Sequence, residues 1–260
     1  MSASANEFDS NITKWKQEMA LPWAKLKYKI GHANLIKHIG DSPMRILDAG
    51  GGNGLDSIPF AKLGHDVDIV DFSQEMLSDA KQEAKNGGFQ QYITTHLADI
   101  HNSTALFPEN TFDLILCHNV LQYVQGIPAI LESFARLLKP HGLVSILSTN
   151  RYSKPFHAAF LENDLAKALT DLDTPNATGK IFTTQATYYS VDEMTELLKN
   201  AGLIHQADYG IRCVIDYWGD NEQKSDPLIF QQIEALEFAL TDRHPYKLLA
   251  RHFQVIAKKE

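Results

Sequence analysis

The chain has 260 residues, of which 44% are hydrophobic and 22% are charged, a composition typical of a globular protein with a packed core. Its formal net charge of −8 argues against a protein that coats nucleic acid by overall electrostatic attraction, but allows a local basic groove. The two cysteines, Cys117 and Cys213, are too few for a disulfide framework and lack the paired spacing of a zinc site. They favour a reducing compartment.

The N-terminal segment, residues 1–18, mixes polar, charged and aromatic residues and lacks the apolar run of a signal peptide. No stretch of the chain approaches the roughly 20 apolar residues that span a bilayer. The sequence therefore predicts a cytoplasmic protein with no membrane partner, and no cluster of potential ligands predicts a metal.

Strand and helix patterns alternate through the middle third of the chain. Before them, Lys14–Ile39 has a helical pattern that we expect to pack over the carboxyl edge of a sheet. Buried-strand patterns occur at Arg45–Asp48, Val67–Val70, Phe112–Cys117 and Gly142–Ser148. Helical spacing of apolar residues occurs between them, at Leu55–Leu63, Ser73–Lys85 and Ile127–Leu138, with Ser73 as an N-cap. This order predicts βαβ units around a parallel sheet.

The alternation stops after Asn150 and resumes at Ser190, which we expect to cap a helix that ends near Asn200. A strand pattern, a helix pattern and a final strand pattern follow, at Leu203–Tyr209, Leu228–Leu240 and His252–Ala257. We expect the final strand to lie antiparallel at the edge of the sheet.

The strongest local signal is Asp48-Ala49-Gly50-Gly51-Gly52-Asn53-Gly54, a glycine-rich loop between a buried strand and a helix. Such a loop lets the backbone approach a ligand closely, and the helix N-terminus offers free N–H donors. Asp71 ends the second strand, at the spacing of an acid that binds both ribose hydroxyls of an adenosine cofactor. The spacing differs from the dinucleotide pattern, no Walker lysine follows, and Asp48 would repel phosphate but hold a cationic amine. S-adenosylmethionine carries such an amine.

Residues 45–150 resemble the class I S-adenosylmethionine-dependent methyltransferases in successive motifs. These are the loop at Asp48–Gly54, Asp71 with the helix start at Phe72–Leu77, Leu97–Asp99, Phe112–Leu121, and Leu137–Gly142, where His141 replaces a family glycine. The resemblance implies an α/β, Rossmann-like fold: a seven-stranded, mostly parallel sheet with helices on both faces and an antiparallel final strand. It divides the chain into an N-terminal helical cap (1–42), a cofactor-binding core (43–150), an insertion or lid (151–189) and a C-terminal part of the sheet with substrate-side helices (190–260).

The resemblance also implies the residues that bind S-adenosylmethionine. Gly50 and Gly52 would face its methionine moiety, Asp71 its ribose and Asp99 its adenine amino group. The full predicted set is Lys27, Asp48, Gly50, Gly51, Gly52, Asp71, Phe72, Met76, Ala98, Asp99 and His118.

Three flanking segments, at residues 26–30, 210–217 and 245–253, are similar to the bacterial tRNA 5-carboxymethoxyuridine methyltransferase family, and this similarity covers almost the whole chain. It implies methyl transfer to a carboxylate on the wobble uridine of tRNA. Two features depart from the family. Lys27 stands where the family has an arginine that reaches the cofactor carboxylate, and the insertion lacks the expected lysine-rich stretch.

The acceptor decides which side chains are needed. A carboxylate is already ionised and requires only a cation or hydroxyl to hold it in line with the methyl group, with Arg212, Arg251, Arg151 and Tyr152 as candidates. A phenol or amine would require a base, with His118, His157, His244 and His252 as candidates. Our predicted catalytic set is His118, Arg212, Tyr152 and Arg251.

Three functions stay open. Residues 14–29 and 243–260 each carry five basic residues against one acid, so both ends could contact RNA if they meet near the cofactor. Alternatively, a small molecule binds under a lid, in an aromatic pocket formed by Tyr152, Phe156, Tyr188, Tyr189 and Trp218. A non-catalytic cofactor-binding scaffold is the least favoured.

Overall fold

The computed structural model describes residues 14–178 and 185–260, and a seven-stranded sheet forms its centre. The start of the predicted N-terminal cap and residues 179–184 of the predicted insertion lie outside the described residues. The strands are β1 (Arg45–Ala49), β2 (Asp66–Asp71), β3 (Ile93–Leu97), β4 (Phe112–His118), β5 (Leu138–Thr149), β8 (Leu203–Ile211) and β9 (His252–Lys259). Their order across the sheet is β3-β2-β1-β4-β5-β9-β8. A separate antiparallel pair joins β6 (Asn176–Thr178) to β7 (Gln185–Thr187).

The first five strands are parallel, and β9 runs antiparallel to both of its neighbours. The predicted fold class is therefore confirmed, but two details of the prediction were wrong. We did not predict β3, because it is only partly buried and shows no continuous apolar run. We placed β9 at the edge, whereas it lies between β5 and β8 and is buried from His252 to Ala257; β8 forms the edge.

Helices flank this sheet on both faces. They are α1 (Pro22–Ile36), α2 (Ile58–Lys62), α3 (Gln74–Gly87), α4 (Ser103–Leu106), α5 (Ile127–Leu137), α6 (Ser153–Phe160), α7 (Leu165–Asp171), α8 (Val191–Asn200), α9 (Asn221–Ser225) and α10 (Pro227–Leu240). Residues 14–19 are also helical. The single helix predicted over Lys14–Ile39 is thus interrupted, and a new helix starts at Pro22, a residue suited to a first helical position.

Two predicted N-caps are confirmed. The Ser73 side chain accepts the N–H of Met76, and Ser190 forms a capping box with Glu193. The predicted helix over Leu55–Leu63 begins three residues late, at Ile58, after a turn.

Alternate residues of each strand pack on opposite faces of the sheet. On β4, Ile115 and Cys117 join a core with α5 and α8, whereas Leu114 and Leu116 join a second core with α2 and α3. A third cluster attaches α1 and α10 to the ends of β5 and β8 through Leu26, Ile30, Leu147, Ile211, Ile215 and Ile233. This cluster fixes α1 over the carboxyl edge of the sheet.

Within the part of the chain that the structure describes, no helix is both long and apolar enough to cross a membrane. The same residues contain no group of three or more His, Cys, Asp or Glu side chains arranged to hold a metal ion.

Candidate active site

A cavity of about 440 Å³ opens at the carboxyl ends of the parallel strands, beneath α1. It lies beside β1 and β4, where the strand order reverses, which is the usual ligand site of such sheets. It brings together most of the predicted residues: Lys27, Gly50, Gly51, Gly52, Asp71, Phe72, Met76, Asp99, His118, Arg212 and Arg251.

Three predicted residues do not line this cavity. Asp48 is buried behind the glycine loop, and Ala98 packs against a core cluster. Tyr152 is 46% exposed and lies outside the cavity. Of the five aromatic residues predicted for a small-molecule pocket, only Tyr188 lines the cavity.

The glycine loop has no room for side chains at Gly50 and Gly51. Gly50 has a φ of +74°, and a Cβ there would lie 2.5 Å from Val120 Cγ2. A Cβ on Gly51 would collide with the Asp48 carboxyl group, and Gly52 has a φ of +53°. The backbone can therefore line the cavity directly, as a close-fitting cofactor requires.

Asp71 is held rigidly at the end of β2. Its Oδ2 accepts the N–H of Gly52 at 2.9 Å, and its Oδ1 accepts the N–H of Ser73 at 2.8 Å. These bonds fix the carboxylate against the cavity wall, in an orientation suited to accept hydrogen bonds from vicinal hydroxyls.

Asp48 supports the fit to a cationic ligand. Its Oδ2 is buried without a hydrogen-bond partner among the described residues. Burial, with a further contribution from the negative charge of Asp56, raises the pKa of Asp48 to about 7. Because Asp48 lies behind Gly51, a cationic amine bound against the glycine loop would stabilise this carboxylate through space and not by direct contact. With that, the residues present fit the amine, ribose and close contacts of S-adenosylmethionine.

Lys27 enters the cavity from α1. Its ammonium lies 4.7 Å from the centroid of the Tyr28 ring, and no carboxylate of the described residues forms an ion pair with it. Burial and the positive charge of Arg212 lower the pKa of Lys27 to about 8. This side chain would hold the carboxylate of the cofactor.

We expect cofactor affinity to fall on both sides of neutral pH. Below about pH 7, Asp48 gains a proton and loses its attraction for the amine; above about pH 8, Lys27 loses a proton and its attraction for the carboxylate. Calorimetric titration of S-adenosylmethionine across this range measures both limbs. Lys27→Arg stays charged and should flatten the alkaline limb, apart from the part caused by the ligand's own amine, so identical alkaline limbs would exclude Lys27 from the contact.

His118 ends β4 and is fixed at both ring nitrogens. Nδ1 lies 2.7 Å from Asp56 Oδ1, and Nε2 lies 2.9 Å from Ser145 Oγ. Gln254 donates to the same hydroxyl at 3.0 Å and to the Gly31 carbonyl of α1 at 3.0 Å. Because a carboxylate only accepts, Nδ1 carries a proton and the Ser145 hydroxyl is free to donate to Nε2. His118 therefore has no spare nitrogen to act as a base in this arrangement.

Positive charge is concentrated on the side of the cavity lined by Arg212, Arg251 and His252. Arg212 has a φ of +63° and pairs with Asp216, with Nε 2.5 Å from Oδ2 and a second contact from Nη2 to Oδ1. Arg251 donates to Ser153 Oγ at 3.1 Å and forms no ion pair with a carboxylate of residues 14–178 or 185–260. Burial and the surrounding cations hold the pKa of His252 well below its usual range. Arg251 is thus available to an anionic ligand.

The other histidines that we predicted as candidate bases differ in their position relative to the cavity. His157 and His252 line the cavity, whereas His244 is exposed and lies outside it. His157 Nδ1 lies 3.3 Å from Glu162 Oε1.

The predicted basic patch does not form as one surface. Lys27 and Arg251 meet in the cavity, but Lys258 and Lys259 lie at the far end of β9, because that strand runs away from the cavity. Lys16 forms an ion pair with Asp79, with Nζ 2.6 Å from Oδ2, and Lys29 forms one with Glu234, with Nζ 2.7 Å from Oε1. These pairs engage two of the five lysines of residues 14–29.

Sequence reasoning missed several lining residues, among them Asp56, His101, Tyr123 and Asp216. Only two carried a local signal: Asp56 closely follows the glycine loop, and Asp216 lies four residues after Arg212. The others reach the cavity through tertiary packing.

Comparison with known proteins identifies the family. A protein-family model described as a methyltransferase domain matches residues 40–202 of the sequence, more than half of the chain. The chain belongs to this family. It is an S-adenosylmethionine-dependent methyltransferase, as the sequence predicted.

Curated relatives differ in how much they cover. The tRNA 5-carboxymethoxyuridine methyltransferase of Escherichia coli strain K12 is 28% identical over 98% of this chain and 94% of its own length. A ubiquinone biosynthesis O-methyltransferase of Bradyrhizobium sp. strain ORS 278 is 28% identical over 63% of each chain.

Solved structures share the fold. A Thermotoga maritima methyltransferase, described as a possible histamine N-methyltransferase, superposes with a TM-score of 0.67 at 12% identity, covering 99% of this chain and 100% of that one. A Burkholderia thailandensis 1,6-didemethyltoxoflavin-N1-methyltransferase with bound S-adenosylhomocysteine gives a TM-score of 0.61 at 18% identity, covering 98% and 86%.

Proposed function

We propose that this methyltransferase esterifies a carboxylate, and that its acceptor is 5-carboxymethoxyuridine at the wobble position of tRNA. The observation that carries the carboxylate assignment is the pair of cavity cations without carboxylate partners among the described residues, Lys27 and Arg251. One would hold the carboxylate of the cofactor. The other is then available for the carboxylate of the acceptor.

S-adenosylmethionine supplies an electrophilic methyl group on a sulfonium. Transfer of this methyl group to the acceptor oxygen would break the carbon–sulfur bond, leave a neutral thioether and require no proton transfer. The protein therefore needs no base: Arg251 holds one oxygen, which leaves the other in line with the methyl group. The occupied ring nitrogens of His118 agree with such a reaction.

Two features support tRNA as the carrier of that carboxylate. Similarity to the Escherichia coli tRNA enzyme extends over nearly the full length of both chains, whereas the ubiquinone biosynthesis relative matches about two thirds. The side chains of Trp15 and Trp23 line the same cavity, and aromatic rings there are suited to stacking a splayed base. A tRNA acceptor would place the enzyme in the cytoplasm.

A small carboxylic acid is the second candidate acceptor. The ion pairs of Lys16 and Lys29 and the net charge of −8 weaken the electrostatic attraction of RNA, and they favour this alternative. Both candidates would bind at the side of the cavity lined by Arg212, Asp216 and Arg251, which we call the carboxylate-binding end of the cavity.

The test is methyl transfer from labelled S-adenosylmethionine to tRNA from a strain whose wobble uridines carry unmethylated carboxymethoxy groups. We expect label that is nuclease-sensitive and released by base, as an ester requires. tRNA lacking the carboxymethoxy group is the control. Absence of label on both, with cofactor binding demonstrated for the same preparation, would overturn the tRNA assignment and leave small carboxylic acids to be tried.

A further inference from the structure

Glu237 is a buried carboxylate on α10, remote from the glycine loop. The residue is ionisable, yet it has no solvent exposure. Oε2 accepts the N–H of Cys213 at 2.5 Å, and Oε1 accepts those of Val214 and Ile215, both at 2.8 Å. Three consecutive backbone donors thus converge on one carboxylate, in the manner of an anion-binding nest.

The turn that Glu237 holds lies between two cavity residues, Arg212 and Asp216. Arg212 begins it in the left-handed region of φ, which a residue with a side chain adopts only where its surroundings stabilise it. The Arg212 carbonyl accepts the backbone N–H of Arg251 at 3.0 Å. The same turn therefore fixes the Arg212–Asp216 pair and the backbone that carries Arg251.

We infer that Glu237 is a positioning residue for the carboxylate-binding end of the cavity. It fills the nest, keeps Arg212 paired with Asp216, and so leaves Arg251 free for the acceptor; the inference rests on the proposed carboxylate acceptor. Loss of its negative charge would leave three buried N–H groups poorly matched, and the turn would relax to find other partners. The cofactor-binding loop belongs to other strands and should not be affected.

The test compares Glu237→Gln with Glu234→Gln, a change one turn earlier on α10 whose side chain pairs at the surface with Lys29. We expect Glu237→Gln to raise the KM of the acceptor tRNA by at least about tenfold, with the cofactor dissociation constant unchanged within about twofold. Glu234→Gln should leave both unchanged. An unchanged acceptor KM in Glu237→Gln, or an equal loss of cofactor affinity, would overturn the inference.

A double variant separates positioning from general destabilisation. If Glu237 acts through Arg251, the double variant Glu237→Gln/Arg251→Gln should have an acceptor KM less than about twofold above that of Arg251→Gln alone. Fully additive effects would contradict action through Arg251.

Cysteine labelling tests the same turn without any acceptor. Cys213 donates its backbone N–H to Glu237 and its thiol is buried, as is that of the other cysteine, Cys117. In Glu237→Gln, iodoacetamide should label Cys213 at least about tenfold faster relative to Cys117. Unchanged labelling overturns the inference whatever the acceptor is, whereas faster labelling in a protein that ignores tRNA would leave the inferred turn intact and reject the proposed acceptor. If Glu237→Gln fails to fold, Glu237→Asp should give the same changes at smaller size.

Discussion

Arg251→Gln is expected to lower kcat/KM for the carboxylate acceptor by about 100-fold, which corresponds to about 3 kcal/mol. Arg251 lines the cavity, its only side-chain hydrogen bond in the described part of the chain is to Ser153 Oγ, and no carboxylate there pairs with it. Its removal would take away the charge that aligns the acceptor oxygen with the methyl group. Steady-state kinetics at saturating cofactor measure the loss.

Two comparisons sharpen this expectation. Arg243→Gln removes an exposed arginine from the same C-terminal segment and should leave kcat/KM within about twofold of the wild type. Arg251→Lys retains the charge but not the two-pronged geometry, so it should restore part of the activity. Normal turnover by Arg251→Gln would remove Arg251 from the acceptor site.

Asp71→Asn is expected to weaken cofactor binding by about 100-fold, or about 3 kcal/mol. The carboxylate accepts the N–H groups of Gly52 and Ser73, and it faces the cavity where a ribose would bind. An amide in its place would turn a donor toward one of these N–H groups and lose an acceptor for the hydroxyls. Calorimetry with S-adenosylhomocysteine measures the change without turnover.

Asp66→Asn is the matched control, because Asp66 starts the same strand at its opposite, exposed end. It should leave cofactor affinity unchanged. Equal affinities for Asp71→Asn and the wild type would show that Asp71 does not bind the ribose.

The sequence was informative where short stretches of chain build the site. A glycine loop between a strand and a helix, followed by an acid at the end of the next strand, forms its geometry from nearby residues, so its pattern survives in the sequence. The cavity position of Gly50 and Asp71 was predicted in this way. The strands of the central sheet were predicted from their apolar runs, whereas the partly buried β3 lacked such a run.

The acceptor end could not be predicted from local pattern. Arg212 and Arg251 looked equivalent in the sequence, and only the fold shows that Asp216 pairs with the first and not with the second. Tyr152 was predicted beside them, yet its side chain lies outside the cavity.

By itself, the sequence determined the α/β architecture, because periodicity and spacing within short segments encode it. The resemblance of its successive motifs pointed to the methyltransferase family, and the short-range pattern of the glycine loop predicted a ligand site where the cavity lies. Only the tertiary structure decided which charged side chains lack an ion-pair partner among the described residues and can bind a ligand. His118 meets Asp56 and Ser145, and Glu237 meets the turn at residues 213–215, across 62, 27 and more than 20 positions of chain. Pairing of ionisable groups over such separations depends on how strands and helices pack, and no local pattern encodes it.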